Sequence, residues 1–214
     1  MKEYSVYGNI DGGVPLILIN TYEGDGSSEW EALKKMSLPP FTLVVVHGMD
    51  WDADMSPFPA DPVFKGQKLL GHGPEYLSYL LKEVVPNVQK SRQIPFTWMG
   101  IAGYSLAGLF ACYTLFVDSP FSRFASASGS LWYPGFLDFA KSSGTSLKGK
   151  KVSLSLGDKE SLTKHPVLST VGDKTQEFLN LVKEKGAEAT FDWNPGNHYA
   201  EPEARLARTI AKLF

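Results

Sequence analysis

The sequence has little cysteine and little net charge, and both shortages exclude classes of protein. A single cysteine, Cys112, cannot form a disulfide within the chain, which argues against a disulfide-stabilised secreted domain. The 21 Lys and Arg residues nearly balance the 23 Asp and Glu residues, so the net charge of -2 gives no electrostatic reason to expect a nucleic-acid or anionic-membrane partner. The first residues also lack the basic segment and apolar run of a secretory signal. We therefore expect a cytoplasmic protein that binds neither nucleic acid nor membranes.

The chain is long enough to bury a substantial core, with 214 residues of which 43% are hydrophobic. No linker rich in glycine, serine or charge divides it, so we predict one domain over residues 1–214. Residues 94–117 contain no charged side chain, which raises the question of a membrane span. One proline and three glycines interrupt this run, and they favour a buried strand followed by a buried helix.

Short apolar runs alternate with helix-like segments along the chain. The predicted strands are residues 15–20, 41–46, 96–102, 123–128, 152–156 and 189–193. The predicted helices are residues 28–36, 74–85, 106–117, 135–142, 172–185 and 202–213. This alternation is typical of a three-layer α/β/α fold with a mostly parallel central sheet. No segment remains for a cap domain, so we expect the long, aromatic loop 47–73 to be ordered and to cover the site.

The segment GYSLAG, residues 103–108, follows a predicted strand and opens a predicted helix. This is the context of a nucleophile elbow, a tight turn that presents a serine hydroxyl at the carboxyl end of the sheet. Gly103 and Ala107 are small enough for strand and helix to approach closely, although Ala107 replaces the more usual glycine. The segment predicts Ser105 as a nucleophile; otherwise, Ser105 is an N-cap of a buried helix.

A serine hydroxyl needs a base and an orienting acid, which follow the serine along the chain in this architecture. Two histidines follow Ser105, and we favour His198, in the PGNH turn after the last strand, over His165. The turn GDKE after residues 152–156 offers the acid, and we favour Glu160 over Asp158 because of its spacing from the glycine. A Ser–His dyad without a strong acid stays open.

Acyl transfer also needs two N–H donors for the developing oxyanion. The amide of Leu106 is the first candidate, and the loop after the strand 41–46 offers Met49 or Asp50 as the second. Four aromatic residues lie in loops on the carboxyl side of the sheet, where ligands bind in open α/β folds. These substrate-binding candidates are Trp51, Phe58, Trp132 and Tyr133. The same aromatic side chains would also serve to pack the loops together.

No cofactor or metal is expected. Asp50 and Asp52 share a loop, but no third residue stands at a spacing typical of metal ligands.

The segments GYSLAGLFACY, FASASGSLWYPGF, GDKE and PGNH together resemble the α/β-hydrolase esterases grouped with enterochelin esterases, S-formylglutathione hydrolases and feruloyl esterases. The resemblance implies a serine esterase with Ser105 as nucleophile and His198 as general base. The aromatic residues of the loops favour a small or aromatic ester as the substrate. The N-terminal region is shorter than in enterochelin esterases, which puts a siderophore substrate in question. The alternatives are a non-catalytic binding protein of this fold, or an acyltransferase or peptidase using the same serine.

Overall fold

The computed structural model describes residues 2–90 and 92–214, and its centre is a seven-stranded sheet. The strands are β1 (Glu3–Gly8), β2 (Leu16–Asn20), β3 (Thr42–His47), β4 (Met99–Tyr104), β5 (Arg123–Ala127), β6 (Lys151–Gly157) and β7 (Glu188–Asn194). Their order across the sheet is β1-β3-β2-β4-β5-β6-β7. Only β1 pairs antiparallel, with β3, among the described strands. The predicted α/β fold with a mostly parallel sheet is confirmed.

The six predicted strands correspond to β2 through β7, and β1 was missed. Residues of β1 are exposed or only partly buried because this strand lies at the edge of the sheet. It therefore lacks the continuous apolar run that marks the central strands. The strand predicted at 96–102 begins later and runs on to Tyr104, which pairs with Ala127 of β5.

Helices cover both faces of the sheet. They are α1 (Ser27–Lys34), α2 (Trp51–Asp54), α3 (Gly73–Tyr79), α4 (Val85–Lys90), α5 (Leu106–Tyr113), α6 (Phe136–Ser142), α7 (Val171–Glu184) and α8 (Pro202–Ala211). A π-helical turn (Leu80–Val84) joins α3 to α4, and a short 3-10 helix (Leu168–Thr170) precedes α7. Alternate residues of β2 face two different cores, as the period of a strand requires. Leu18 packs in the core of α3 and α5, whereas Ile19 packs in that of α1 and α8.

The uncharged run 94–117 contains β4 and α5. Helix α5 ends at Tyr113, four residues before the predicted end. After it, the N–H groups of Leu115 and Phe116 bond carbonyls three residues back, as in tight turns. In the part of the chain that the structure describes, no helix has both the length and the apolar character to cross a membrane.

Helix α5 packs so closely behind β4 that the strand has no room for a side chain at Gly103. A Cβ atom there would lie 2.3 Å from the Ala107 carbonyl carbon. We expect Gly103→Ala to lower the free energy of unfolding by about 3 kcal/mol, because backbone must move to admit the methyl group. Gly144→Ala is the matched control, since no atom lies within 4 Å of its added Cβ. Equal urea midpoints for the two variants would contradict this prediction.

Candidate active site

The backbone at Ser105 is strained in a way that exposes the hydroxyl. Its φ of 57° and ψ of −122° are unusual for a residue with a side chain, and such conformations persist only where surrounding structure holds them. The N–H of Ser105 donates to the Ala127 carbonyl at 3.2 Å, and its carbonyl accepts from Ser130 at 3.0 Å and from Leu109 at 3.0 Å. The turn from β4 to α5 is therefore fixed by the next strand and its loop.

Ser105, His198 and Glu160 form one hydrogen-bonded chain. The Ser105 Oγ lies 3.1 Å from His198 Nε2, and His198 Nδ1 lies 2.8 Å from Glu160 Oε2. The three residues follow β4, β7 and β6, which end at the same edge of the sheet. Because an ionised carboxylate only accepts hydrogen bonds, Glu160 places the ring proton on Nδ1 and leaves Nε2 to accept from Ser105.

The Glu160 carboxylate is almost fully buried, with 3% of its side chain exposed. Its Oε1 accepts from Ser128 Oγ at 2.6 Å, the Gly157 N–H at 2.8 Å and Arg205 Nη1 at 2.7 Å. Burial acts to raise the pKa of Glu160, but the hydrogen bonds from His198, Ser128 and Gly157 and the charge of His198 outweigh it. The net pKa of this carboxyl is lowered, so it is ionised at neutral pH.

The two alternative residues lie elsewhere. Asp158 is exposed, and its Oδ1 accepts from the Gly196 N–H at 2.8 Å, so it stabilises the turn beside His198 rather than the imidazole ring. His165 lies 3.1 Å from the Val63 carbonyl through Nε2, while its Nδ1 accepts backbone N–H groups of its own loop. The structure thus brings His198 and Glu160 to Ser105, as favoured from the sequence.

The order of the strands changes the candidate for the second oxyanion donor. Strand β2, not β3, lies beside β4, and Asn20 at its end pairs with Gly103. The residues directly after Asn20 therefore run beside Ser105. The N–H of Thr21 donates to the Val46 carbonyl at 3.0 Å, but the N–H of Tyr22 has no acceptor among residues 2–90 and 92–214. Tyr22, which sequence reasoning missed, is the better candidate.

Met49 and Asp50 follow β3, which is one strand further from Ser105, roughly 10 Å from β4 across the sheet. The N–H of Asp50 is also taken up by Asp54 Oδ2 at 3.1 Å. The sheet order therefore argues against both residues as oxyanion donors. The sequence interpretation chose the loop after β3 because the order of strands along the chain does not show that β2 lies between β3 and β4.

The four predicted aromatic residues divide into two pairs. Trp51 packs edge-on against Tyr22 with ring centroids 5.4 Å apart, and Trp132 packs against Phe64 at 6.1 Å. Both Trp residues are partly exposed.

Tyr133 is buried and packs against the partly buried Phe58, with ring centroids 5.6 Å apart. Tyr133 is 2% exposed and donates its hydroxyl to the Phe58 carbonyl at 2.5 Å. Burial raises the pKa of Tyr133 to about 12. These two residues attach the loop 47–73 to the loop after β5, so they serve to pack the loops together.

Other reactive groups lie apart from this chain of residues. Cys112 is fully buried, and burial raises the pKa of its thiol to about 12, so it is not a thiolate at neutral pH. Across residues 2–90 and 92–214, no three His, Cys, Asp or Glu side chains come together as a metal site.

Arg205 and Ser128 support Glu160, and sequence reasoning missed both. Arg205 precedes the apolar residues Leu206 and Ile210 in α8, and this pattern indicates only weakly that Arg205 is buried. Ser128 is one of several serines in the segment 122–130 and has no signal of its own.

The sheet order, the turn at Ser105 and the residues around it define an α/β-hydrolase fold. The chain belongs to an esterase family, whose model is described as "Putative esterase" and matches residues 13–199. The protein is therefore an esterase.

One curated protein is similar in sequence, and several solved structures are similar in fold. The chain is 25% identical over 192 residues to the uncharacterized protein YbbA of Bacillus subtilis, covering 84% of this chain and 75% of that protein. An IroE-like serine hydrolase of Shewanella oneidensis superposes with a TM-score of 0.81 at 19% identity, covering 100% of this chain and 75% of the other. The siderophore hydrolase EstB of Aspergillus nidulans gives a TM-score of 0.74 at 18% identity, covering 98% and 88%. The enterobactin esterase FES of Shigella flexneri gives 0.70 at 19%, covering 99% and 55%.

The different positions of Glu160 and Asp158 predict different effects on turnover. We expect Glu160→Gln to lower kcat about 1,000-fold or more, because a neutral amide no longer stabilises an imidazolium or fixes its tautomer. Asp158→Asn is the matched control and should change kcat less than about threefold, because an amide oxygen still accepts from Gly196. The measurement is hydrolysis of an activated acetate ester. Similar losses in the two variants would contradict the assignment of the acid.

The lowered pKa of Glu160 predicts how stability depends on pH. A carboxyl with a lowered folded-state pKa stabilises the fold above its unfolded pKa, about 4.3 for Glu, and loses this contribution as the pH falls through the folded value. We expect the Tm of the wild type to fall more steeply than that of Glu160→Gln between about pH 5 and pH 3. Thermal unfolding followed by circular dichroism measures both curves. Parallel curves would contradict the prediction.

Proposed function

We propose that this esterase hydrolyses carboxylic esters through an acyl-enzyme on Ser105, with His198 as general base and Glu160 as its orienting acid. The observation that carries the proposal is the hydrogen-bonded chain from Ser105 Oγ through both ring nitrogens of His198 to a buried carboxylate. Hydrogen-bond contact between nucleophile, base and acid is the geometry that acyl transfer requires.

In the first half of the reaction, His198 Nε2 takes the Ser105 proton as Oγ attacks the ester carbonyl carbon. The imidazolium that forms is stabilised by Glu160, 2.8 Å from Nδ1, and it then protonates the departing alcohol. In the second half, His198 takes a proton from water, the hydroxide attacks the acyl-enzyme, and the carboxylic acid leaves as Ser105 is reprotonated. Ester and water are consumed, and an alcohol and an acid are formed.

The oxyanion of both tetrahedral intermediates requires two N–H donors. We assign them to Leu106, at the start of α5, and to Tyr22, after β2. Neither N–H has an acceptor within residues 2–90 and 92–214, so both are available to a ligand. The N-terminus of α5 adds positive potential at the same point.

The substrate in this proposal is a small or aromatic ester. Tyr22 is 68% exposed, and together with the partly exposed Trp51 it forms an aromatic surface at the edge of the sheet where β4 ends. EstB is named a siderophore hydrolase and FES an enterobactin esterase, and this chain spans 55% of the length of FES. A cytoplasmic location and a single domain over the whole chain stay predictions.

The non-catalytic alternative required a buried Ser105 or a His198 out of reach. Ser105 is instead partly exposed, and His198 lies within hydrogen-bond distance. Transfer of the acyl group to an acceptor other than water uses the same groups, and product analysis with added alcohols or amines distinguishes it from hydrolysis.

Replacement of Ser105 tests the proposed function directly. We expect Ser105→Ala to lower kcat for an activated acetate ester by about 10⁴-fold or more and to abolish labelling by a fluorophosphonate, because the nucleophile is lost. Ser142→Ala, at an exposed position of α6, is the control and should behave as the wild type. Undiminished turnover in Ser105→Ala, or labelling at another residue, would contradict the proposal.

A further inference from the structure

Arg205 is a fully buried cation beside the proposed catalytic residues. It lies in the first turn of α8, and its side chain is 0% exposed. A guanidinium stays charged at any pH where proteins fold, so complete burial is costly unless its charge and N–H groups are satisfied. Its Nη1 lies 2.7 Å from Glu160 Oε1, which satisfies the charge, whereas its Nε has no hydrogen-bond partner among the described residues.

The second nitrogen of the guanidinium binds the loop that carries His198. Arg205 Nη2 donates to the carbonyls of Pro195 and Asn197, each at 3.2 Å. These two carbonyls lie in the loop just before His198. The same guanidinium therefore contacts the acid through Nη1 and the backbone of the base through Nη2.

A third contact connects Arg205 with the strand of the nucleophile. Arg205 Nη1 donates to the Tyr104 hydroxyl at 3.1 Å, and that hydroxyl donates to the His198 carbonyl at 2.7 Å. Tyr104 is the last residue of β4 and directly precedes Ser105. Arg205 thus contacts residues from the ends of β4, β6 and β7.

The two oxygens of the Glu160 carboxylate have different charged or ring partners in this arrangement. Oε1 accepts from Arg205 and Oε2 from His198 Nδ1, so rotation of the carboxylate would break a charged contact at each oxygen. The space is tight, because a Cβ atom at Gly157 would lie 3.0 Å from both Arg205 Nη1 and Glu160 Oε1. A lysine ammonium, with one nitrogen, does not reproduce the two-sided contact of a guanidinium.

We propose that Arg205 is a positioning residue that holds Glu160 and the His198 loop in alignment with Ser105. This inference rests on the proposed function, since it assumes that Glu160 and His198 act on Ser105. Arg205 does not touch the substrate, and its effect on turnover passes through Glu160 and the backbone before His198.

The first experiment compares Arg205→Met, Arg205→Lys and Arg208→Met in hydrolysis of an activated acetate ester. We expect Arg205→Met to lower kcat about 100-fold with KM within about threefold of the wild type, because alignment is lost but the substrate surface is not. Arg205→Lys should recover part of that loss. Arg208, on the same helix and 41% exposed, makes the matched control, and its variant should keep wild-type kcat.

The second experiment separates positioning from general stability by a double-mutant cycle. We expect Arg205→Met to slow fluorophosphonate labelling of Ser105 about 100-fold in the wild type but less than about fivefold in Glu160→Gln, because Glu160 transmits most of the effect. A purely structural role for Arg205 predicts equal factors in both backgrounds. Equal factors, or a wild-type kcat in folded Arg205→Met, would overturn the inference.

If Arg205→Met does not fold, Arg205→Lys and Tyr104→Phe decide the question. Tyr104→Phe removes the hydroxyl between Arg205 and the His198 carbonyl, and we expect about a tenfold lower kcat. Wild-type kcat in both variants overturns the inference. Failure of the proposed function gives a different result: the Ser105→Ala variant, with every other residue unchanged, would still hydrolyse the ester.

Discussion

The site depends on one buried negative charge, the carboxylate of Glu160. Burial acts against ionisation, and the charge persists because four donors from separate parts of the chain surround it: Ser128, Gly157, His198 and Arg205. Ser128 follows β5, Gly157 ends β6, His198 follows β7 and Arg205 lies in α8. Satisfying this carboxylate therefore requires that the separate elements reach their final positions, so the folding of the chain and the alignment of the site are parts of one process.

The sheet order decides which loops lie near the nucleophile. Placing β2 between β3 and β4 brings the residues after Asn20 to Ser105 and moves the loop after β3 outward by one strand. Within that loop, the Asp54 carboxylate accepts a hydrogen bond from the Asp50 N–H. It also accepts one from Lys2, at the start of the chain.

The loop 47–73 is bonded to neighbouring loops at several points. Tyr133 bonds the Phe58 carbonyl, Trp132 packs against Phe64, and His165 lies within hydrogen-bond distance of the Val63 carbonyl. These contacts connect the loop after β3 with the loops after β5 and β6. Aromatic packing and hydrogen bonds between these loops therefore keep the segment 47–73 ordered.

The sequence by itself determined the α/β class, six of the seven strands and the residues Ser105, His198 and Glu160 as candidates. These signals are local: apolar runs, a glycine at a tight turn, and a histidine and a carboxylate directly after strands. Only the tertiary structure decided the neighbour of β4, which places the loop after β2, and not the loop with Met49 and Asp50, next to the strand of the nucleophile. It also decided the burial of Arg205 against Glu160. The physical reason is that strand order and the pairing of buried charges depend on contacts between residues far apart in the chain. A short segment of sequence therefore does not predict those contacts.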